Sequence, residues 1–325
     1  MKKAVFALIL AMTLALSACA NPVAIVTESE KARQGGDAGG ILENWQNLIS
    51  GSPAVDTMLM PAASGKKTYK NDKAVMDYSN ARDGYVMLKY IASSDANLKV
   101  IVQGPSTVKY TYNINPGGDY STFPLSDGSG DYTVGIYKQK SGTTKYAAQF
   151  SKTVSVRLDD EFAPFLRPNQ YVNYTESSKA VKLAAKLTSD GKTDIDKISA
   201  VYNYVVTHLT YDYYKAKTVK SGYLSDIDTT LDSGKGICYD YAALMTAMLR
   251  SQGVPTKLVV GYTGQLYHAW INVYTQSDGW VDGVIYFDGT TWKLMDPTFA
   301  SSGNSSSSVM QYIGNSSNYS AKYLY

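Results

Sequence analysis

Residues 237–251 constrain the chain most, because Tyr241, Leu244, Met245, Met248 and Leu249 form an apolar stripe at helical spacing while Ala242, Ala243 and Ala247 let neighbours approach closely. Such a helix belongs at the centre of a domain, covered by other elements. Gly234, Lys235 and Gly236 lead into it, and Gly253 and Pro255 end it. Upstream, helical periodicity runs over 177–187 and again over 194–208, where Ile195, Ile198, Val201, Tyr202, Val205 and Val206 define one buried face. Downstream, the runs 257–262, 269–274, 284–287 and 292–295 read as strands. Helices followed by strands thus surround one helix that reads as central and buried.

The preceding half has a different texture. Runs rich in Val, Tyr, Thr and Ile at 85–91, 98–103, 108–114 and 132–139 are punctuated by Asn115, Pro116, Gly117, Gly118 and the turn cluster 127–130. This spacing predicts a small antiparallel β-sandwich of immunoglobulin-like size over 81–160. Before it, 19–80 reads as a flexible tether with Gly35, Gly36, Gly39 and Gly40 and a short helix near 41–49. The last domain is expected to span 161–325, with a loose Ser- and Asn-rich stretch at 301–318 before an aromatic end at Tyr323 and Tyr325.

At the start of the chain, Lys2 and Lys3 precede an apolar run from Ala4 to Leu16 that is too short to span a bilayer comfortably and is followed by Ser17, Ala18 and Cys19. Residues 1–18 resemble a lipoprotein signal peptide, with Cys19 as the lipidated residue. An ordinary cleaved signal in which Cys19 is incidental is the other reading. The lipoprotein reading implies export, with an anchor in the outer face of the bacterial cytoplasmic membrane or another envelope membrane.

Removing Lys2 and Lys3 leaves 29 basic residues against 28 acidic ones, a net charge of +1, which offers no basic footprint for nucleic acid. The 28 Tyr against 7 Phe suit half-wet β surfaces and point to no substrate.

With two cysteines in the chain and a lipid on Cys19, Cys238 has no intrachain partner. An unpaired thiol in an oxidising compartment suggests a use, although a buried cysteine can also act as a small hydrophobe. Cys238 opens the central helix, where partial positive charge and NH donors favour a thiolate, and its own NH is suited to donating to an oxyanion. His268 opens a β run about 30 residues downstream and can accept the thiol proton. Asp296, just before Pro297, can orient the imidazole. Singly, His268 reads equally as a structural histidine and Asp296 as a turn residue. His208, at a helix end, takes no catalytic role. Neither histidine has a second ligand at chelating spacing, so no metal site is expected, and nothing calls for a cofactor.

Gly-Ile-Cys-Tyr at 236–239, His-Ala-Trp at 268–270 and Asp-Pro-Thr at 296–298, with Gly253-Val254-Pro255 and Val259-Val260-Gly261-Tyr262 between them, resemble the transglutaminase-like superfamily over about 194–300. The resemblance implies an α+β, papain-like core in which the central helix carries the nucleophile and packs on an antiparallel sheet, with Cys238, His268 and Asp296 as a catalytic triad. Tyr211 matches an aromatic position that the family often has upstream of the cysteine, where its hydroxyl would line the oxyanion site, and it reads equally as a packed tyrosine. Trp270 is expected to support His268. Papain-type enzymes place their histidine much further downstream and follow it with asparagine. Cell-wall peptidases with an Asp-Cys-Ser helix start are a cousin from which Ile237 and Tyr239 set this chain apart.

The resulting expectation is an exported, lipid-anchored cysteine enzyme that attacks an amide or peptide carbonyl, forms a thioester and passes the acyl group to water or an amine. Its substrates would be extracytoplasmic proteins, peptides or cell-wall peptides. A surface scaffold using the same fold for binding or adhesion is the alternative from another class, and redox sensing by Cys238 is a third.

Overall fold

The computed structural model of the chain describes residues 58–191, 193–282, 285–287, 292–294 and 318–325. These divide into one unit over 62–161 and a second that runs from Phe162 to Tyr325.

In the first unit eight strands follow one another: β1 (Thr68–Lys70), β2 (Ala74–Asp77), β3 (Tyr85–Tyr90), β4 (Leu98–Gln103), β5 (Lys109–Asn113), β6 (Ser121–Pro124), β7 (Gly130–Gln139) and β8 (Tyr146–Val156). Two antiparallel four-stranded sheets result, ordered β1-β2-β3-β6 and β5-β4-β7-β8. In β4, Leu98, Val100 and Val102 are buried while Lys99, Ile101 and Gln103 are half-buried, the alternation that a pleated strand with one packed face imposes. Tyr112 of β5 meets Phe123 of β6 with ring centroids 5.2 Å apart at 76°, an edge-to-face contact that joins the two sheets. Strands β1 and β2 correct the expectation of a tether through residue 80. They are short, and Lys67, Lys70 and Lys73 in and around them hide the period-two pattern.

The second unit contains α1 (Lys179–Leu187), α2 (Asp194–His208), β9 (Thr210–Tyr211), α3 (Tyr213–Thr218), α4 (Ile227–Ser233), β10 (Lys235–Gly236), α5 (Cys238–Ser251), β11 (Thr256–Thr263), β12 (Leu266–Thr275), β13 (Gly279–Val281), β14 (Ile285–Phe287), β15 (Trp292–Leu294) and β16 (Tyr319–Leu324). Helix α2 starts on a reciprocal cap: Thr193 Oγ1 accepts from the Asp196 NH at 3.2 Å, and Asp196 Oδ2 accepts from the Thr193 NH at 2.9 Å. The start of α1 is capped from a distance, since Asp228 accepts from the Lys179 and Ala180 NH groups at 3.0 Å each.

Every residue of α5 is buried. It packs against α1, α2 and α4 as well as β11 and β12, as its lack of a polar face demands. Leu244, Met245, Met248 and Leu249 are all at 0% exposure, each contributing about 1.5–3 kcal/mol of burial. The sheet order β13-β12-β11-β16 brings the aromatic end of the chain back beside β11. Gly261 makes that closure possible: a Cβ there would stand 2.0 Å from the Ser320 carbonyl oxygen and 2.8 Å from the Trp270 ring. The short helix expected near 41–49 lies outside the described residues.

Candidate active site

Cys238 is the first residue of α5 and is 3% exposed. The chain reaches it through β10, which pairs in parallel with β9 so that Gly236 stands opposite Tyr211. The Gly236 carbonyl accepts from the Asp212 NH at 2.9 Å, and Asp212 Oδ1 in turn caps α3 by accepting from the Lys215 NH at 2.8 Å. Tyr211 is half-buried and sits edge-on to Tyr213 at 5.0 Å.

His268 lies on β12 opposite Gly261 and is 4% exposed. Its ring is near-parallel to that of Trp270, with centroids 6.2 Å apart at 21°, and Tyr319 of β16 lies 6.5 Å away. Because α5 packs on β12, the elements carrying Cys238 and His268 are neighbours. Tyr267, the residue before His268, reports the same proximity. Burial raises its phenol above the ordinary value, and the neighbouring Tyr323, Tyr171, Tyr262 and Cys238 add to the rise. Asp296, the third residue of the expected triad, and Cys19, the expected lipid carrier, both lie outside the described residues. His208 is stacked on Tyr204 at 4.0 Å, and its Nδ1 lies 2.9 Å from the Tyr204 carbonyl, at the end of α2.

The sequence reading missed a buried carboxylate beside the cysteine. Asp240 is 0% exposed, and both of its oxygens are doubly engaged. Oδ1 accepts from Tyr223 Oη at 2.6 Å and Ser225 Oγ at 2.8 Å. Oδ2 accepts from the Ile237 NH at 2.9 Å and pairs with Lys215 Nζ at 2.7 Å. Lys215 Nζ also donates to Tyr223 Oη at 2.7 Å, closing a ring of three groups. Burial alone would pull Lys215 down, but Asp240 and Tyr223 outweigh it and hold the ammonium above its ordinary value. The space left by Gly236 belongs to this network: a Cβ there would stand 2.7 Å from the Cβ of Asp240. The room beside that glycine is taken up by the aspartate that fixes the helix start. An acidic residue in the first turn of a helix was the available signal for Asp240. Lys215, Tyr223 and Ser225 come from a polar stretch without periodicity and gave none.

Tyr239 anchors the other side of the helix start by donating to the Tyr171 carbonyl at 3.0 Å, and burial raises its phenol well above the ordinary value. The backbone around Cys238 is thus fixed from three sides. The network on Asp240, the β9–β10 ladder and Tyr239 all hold the turn from which the thiol projects. Among the described residues no group of His, Cys, Asp and Glu is placed to hold a metal ion.

Comparison with known proteins places this region. The chain is 28% identical over 181 residues to the uncharacterized protein YebA of Bacillus subtilis (strain 168), covering 49% of this chain and 24% of that protein. It is 24% identical over 177 residues to kyphoscoliosis peptidase of Homo sapiens, covering 50% of this chain and 25% of that protein. It therefore spans about a quarter of the length of these relatives. The crystal structure of a candidate cysteine protease from Cytophaga hutchinsonii is 18% identical with a TM-score of 0.33, covering 64% of this chain and 68% of that one. The family model for the transglutaminase-like superfamily matches residues 181–282, the stretch from α1 to β13 that includes both Cys238 and His268. What the comparisons show is thus a likeness to the transglutaminase-like superfamily over residues 181–282.

Proposed function

We propose that the protein is a cysteine enzyme that opens amide or peptide bonds by acyl transfer. The observation that carries this reading is the placement of Cys238 at the buried first turn of α5, on a helix packed against the strand that bears His268, inside the matched core. In the proposed reaction Cys238 Sγ attacks the carbonyl carbon and His268 takes the thiol proton. As the C–N bond breaks, the imidazolium returns that proton to the departing nitrogen, leaving a thioester. Water, or a primary amine, then attacks the thioester while His268 accepts its proton, and the thiol is regenerated. Asp296 orients the imidazole, and Trp270 supports it. The first NH groups of α5 face the developing oxyanion, with Tyr211 beside them. That the relative in Homo sapiens is named a peptidase agrees with hydrolysis as the default outcome.

The placement proposed for the enzyme is extracytoplasmic, with a lipid on Cys19 holding it to the membrane and proteins, peptides or cell-wall peptides as substrates. The basis is the basic and apolar start of the chain ending in Ser17-Ala18-Cys19. For the preceding β unit we propose an immunoglobulin-like sandwich, because β2-β3-β6 facing β5-β4-β7-β8 is a strand order such domains use.

The burial of Cys238 and His268, at 3% and 4% exposure, favours one second reading, a binding module without catalysis. Release of ammonia or amine from a pool of glutamine-containing and carboxamide-ended peptides separates the two. The enzyme reading predicts release by the native chain that Cys238→Ser abolishes, and an added primary amine should compete with water for the acyl group if transfer operates. Absence of release by the native chain, with the peptides still bound, would favour the binding module.

A further inference from the structure

We infer that Lys215 is a positioning residue for the Cys238 thiol, neutralising the buried Asp240 carboxylate two residues along α5 so that the thiol can ionise. The inference rests on reading Cys238 as the nucleophile. Asp240 presents a conflict. Its hydrogen bond to the Ile237 NH fixes the turn that carries Cys238, yet a negative charge buried there opposes a thiolate and cancels the positive end of the helix. Serine and tyrosine hydroxyls satisfy Asp240 without changing its charge. Lys215 Nζ, 2.7 Å from Oδ2 with its side chain 28% exposed, is the one cation the described residues place on it.

The other titratable groups around the turn do not substitute for Lys215. From α5 itself there is Tyr239, from the segment between α3 and α4 there is Tyr223, from the segment before α1 there is Tyr171, and from β12 there are Tyr267 and His268. The four tyrosines are all raised, chiefly by burial, and stay neutral while the thiol titrates. His268 is the proton acceptor and carries no fixed charge. The Lys215 ammonium is held above its ordinary value and persists across the same range. Lys215 is thus the fixed positive charge of the turn, and it sits on a short helix that Asp212 ties to the same loop.

The test uses the full-length chain carrying Cys19→Ser, which leaves Cys238 as its single thiol. The alkylation rate with iodoacetamide is followed against pH, and the cooperative thermal transition of each variant is recorded alongside. Lys215→Met is expected to move the midpoint of the profile up by about one unit, which is about tenfold in rate below both midpoints. Lys215→Arg should keep the native midpoint, and Lys215→Met with Asp240→Asn should restore it. An unchanged midpoint in Lys215→Met would overturn the inference, as would a shift that Asp240→Asn fails to reverse. If Lys215→Met does not fold, Asp240→Asn alone decides: it should lower the midpoint, and an unmoved midpoint counts against the inference. His268→Ala in the same assay tests the enzyme reading separately. A profile sensitive to Lys215 and indifferent to His268 would keep this inference and remove His268 as the acceptor of the thiol proton, and the reverse pattern would do the opposite.

Discussion

Replacing His268 by alanine is expected to cost about 10²–10⁴-fold in amide turnover, the range that a positioned general acid and base supplies. It should also carry the alkylation midpoint of Cys238 up toward that of a free thiol near pH 8.5. Two consequences are expected together because in the proposed reaction one imidazole serves both steps: it takes the thiol proton and delivers it to the leaving nitrogen. His268→Ala leaves the fold largely in place, since the histidine lies at the beginning of β12 and the ladder to β11 runs through backbone groups from Thr256 to Thr263. Turnover against the peptide pool and the pH profile of alkylation check the two halves. A variant that loses turnover and keeps the native midpoint would mean that His268 acts only on the leaving group.

The largest effect on stability is expected at Arg250, the biggest side chain with under 2% exposure among the described residues. Its guanidinium donates to three carbonyls from three parts of the chain: Nε to Thr256 at 2.8 Å, Nη1 to Arg167 at 2.7 Å and Nη2 to Tyr325 at 2.6 Å. It therefore ties the end of α5 to the start of β11, to the segment before α1 and to the residue after β16. The Tyr325 carbonyl also accepts from the Leu258 NH at 2.9 Å, so the arginine and the sheet edge share one acceptor. Arg250→Leu removes three charge-assisted bonds and leaves space that leucine does not fill, costing about 4 kcal/mol. Denaturant unfolding followed by fluorescence measures it. A loss under about 1 kcal/mol would mean that the carbonyls find other donors.

What could be read from the sequence follows from what leaves a local trace. Helix α5 was legible from its apolar stripe and the alanines beside it, and α2 from Ile198, Val201, Tyr202 and Val205, which recur at helical period and are buried. Strand β4 was legible from its alternation, and Cys238 and His268 from the short motifs around them. By contrast, β1 and β2 are brief and lysine-flanked, while β9 and β10 are two residues each and exist only as each other's partners. Strand β16 carries exposed residues at Ser320, Ala321 and Lys322, so its place beside β11 is decided by the notch at Gly261 rather than by its own pattern. The network on Asp240 joins positions 215, 223, 225, 237 and 240 through a stretch of short helices and turns. No periodicity marks such a set, because the pairing is made by tertiary structure and not by spacing.

The same contrast explains why the chemistry near the cysteine was only half visible. The proposed nucleophile and its proposed base are recognisable residue types at recognisable element starts. The group proposed to set the charge of the turn is an ordinary lysine, Lys215, whose importance comes from its pairing with one buried carboxylate.

The central claim is a covalent one, and intact-mass measurement of the chain tests it most directly. The protein is mixed with the peptide pool, quenched in acid within the first turnovers and weighed. An adduct equal in mass to the acyl part of a peptide, removed by hydroxylamine and missing from Cys238→Ser, is the predicted result. Peptide turnover that survives in Cys238→Ser, with no adduct on the native chain, would contradict it.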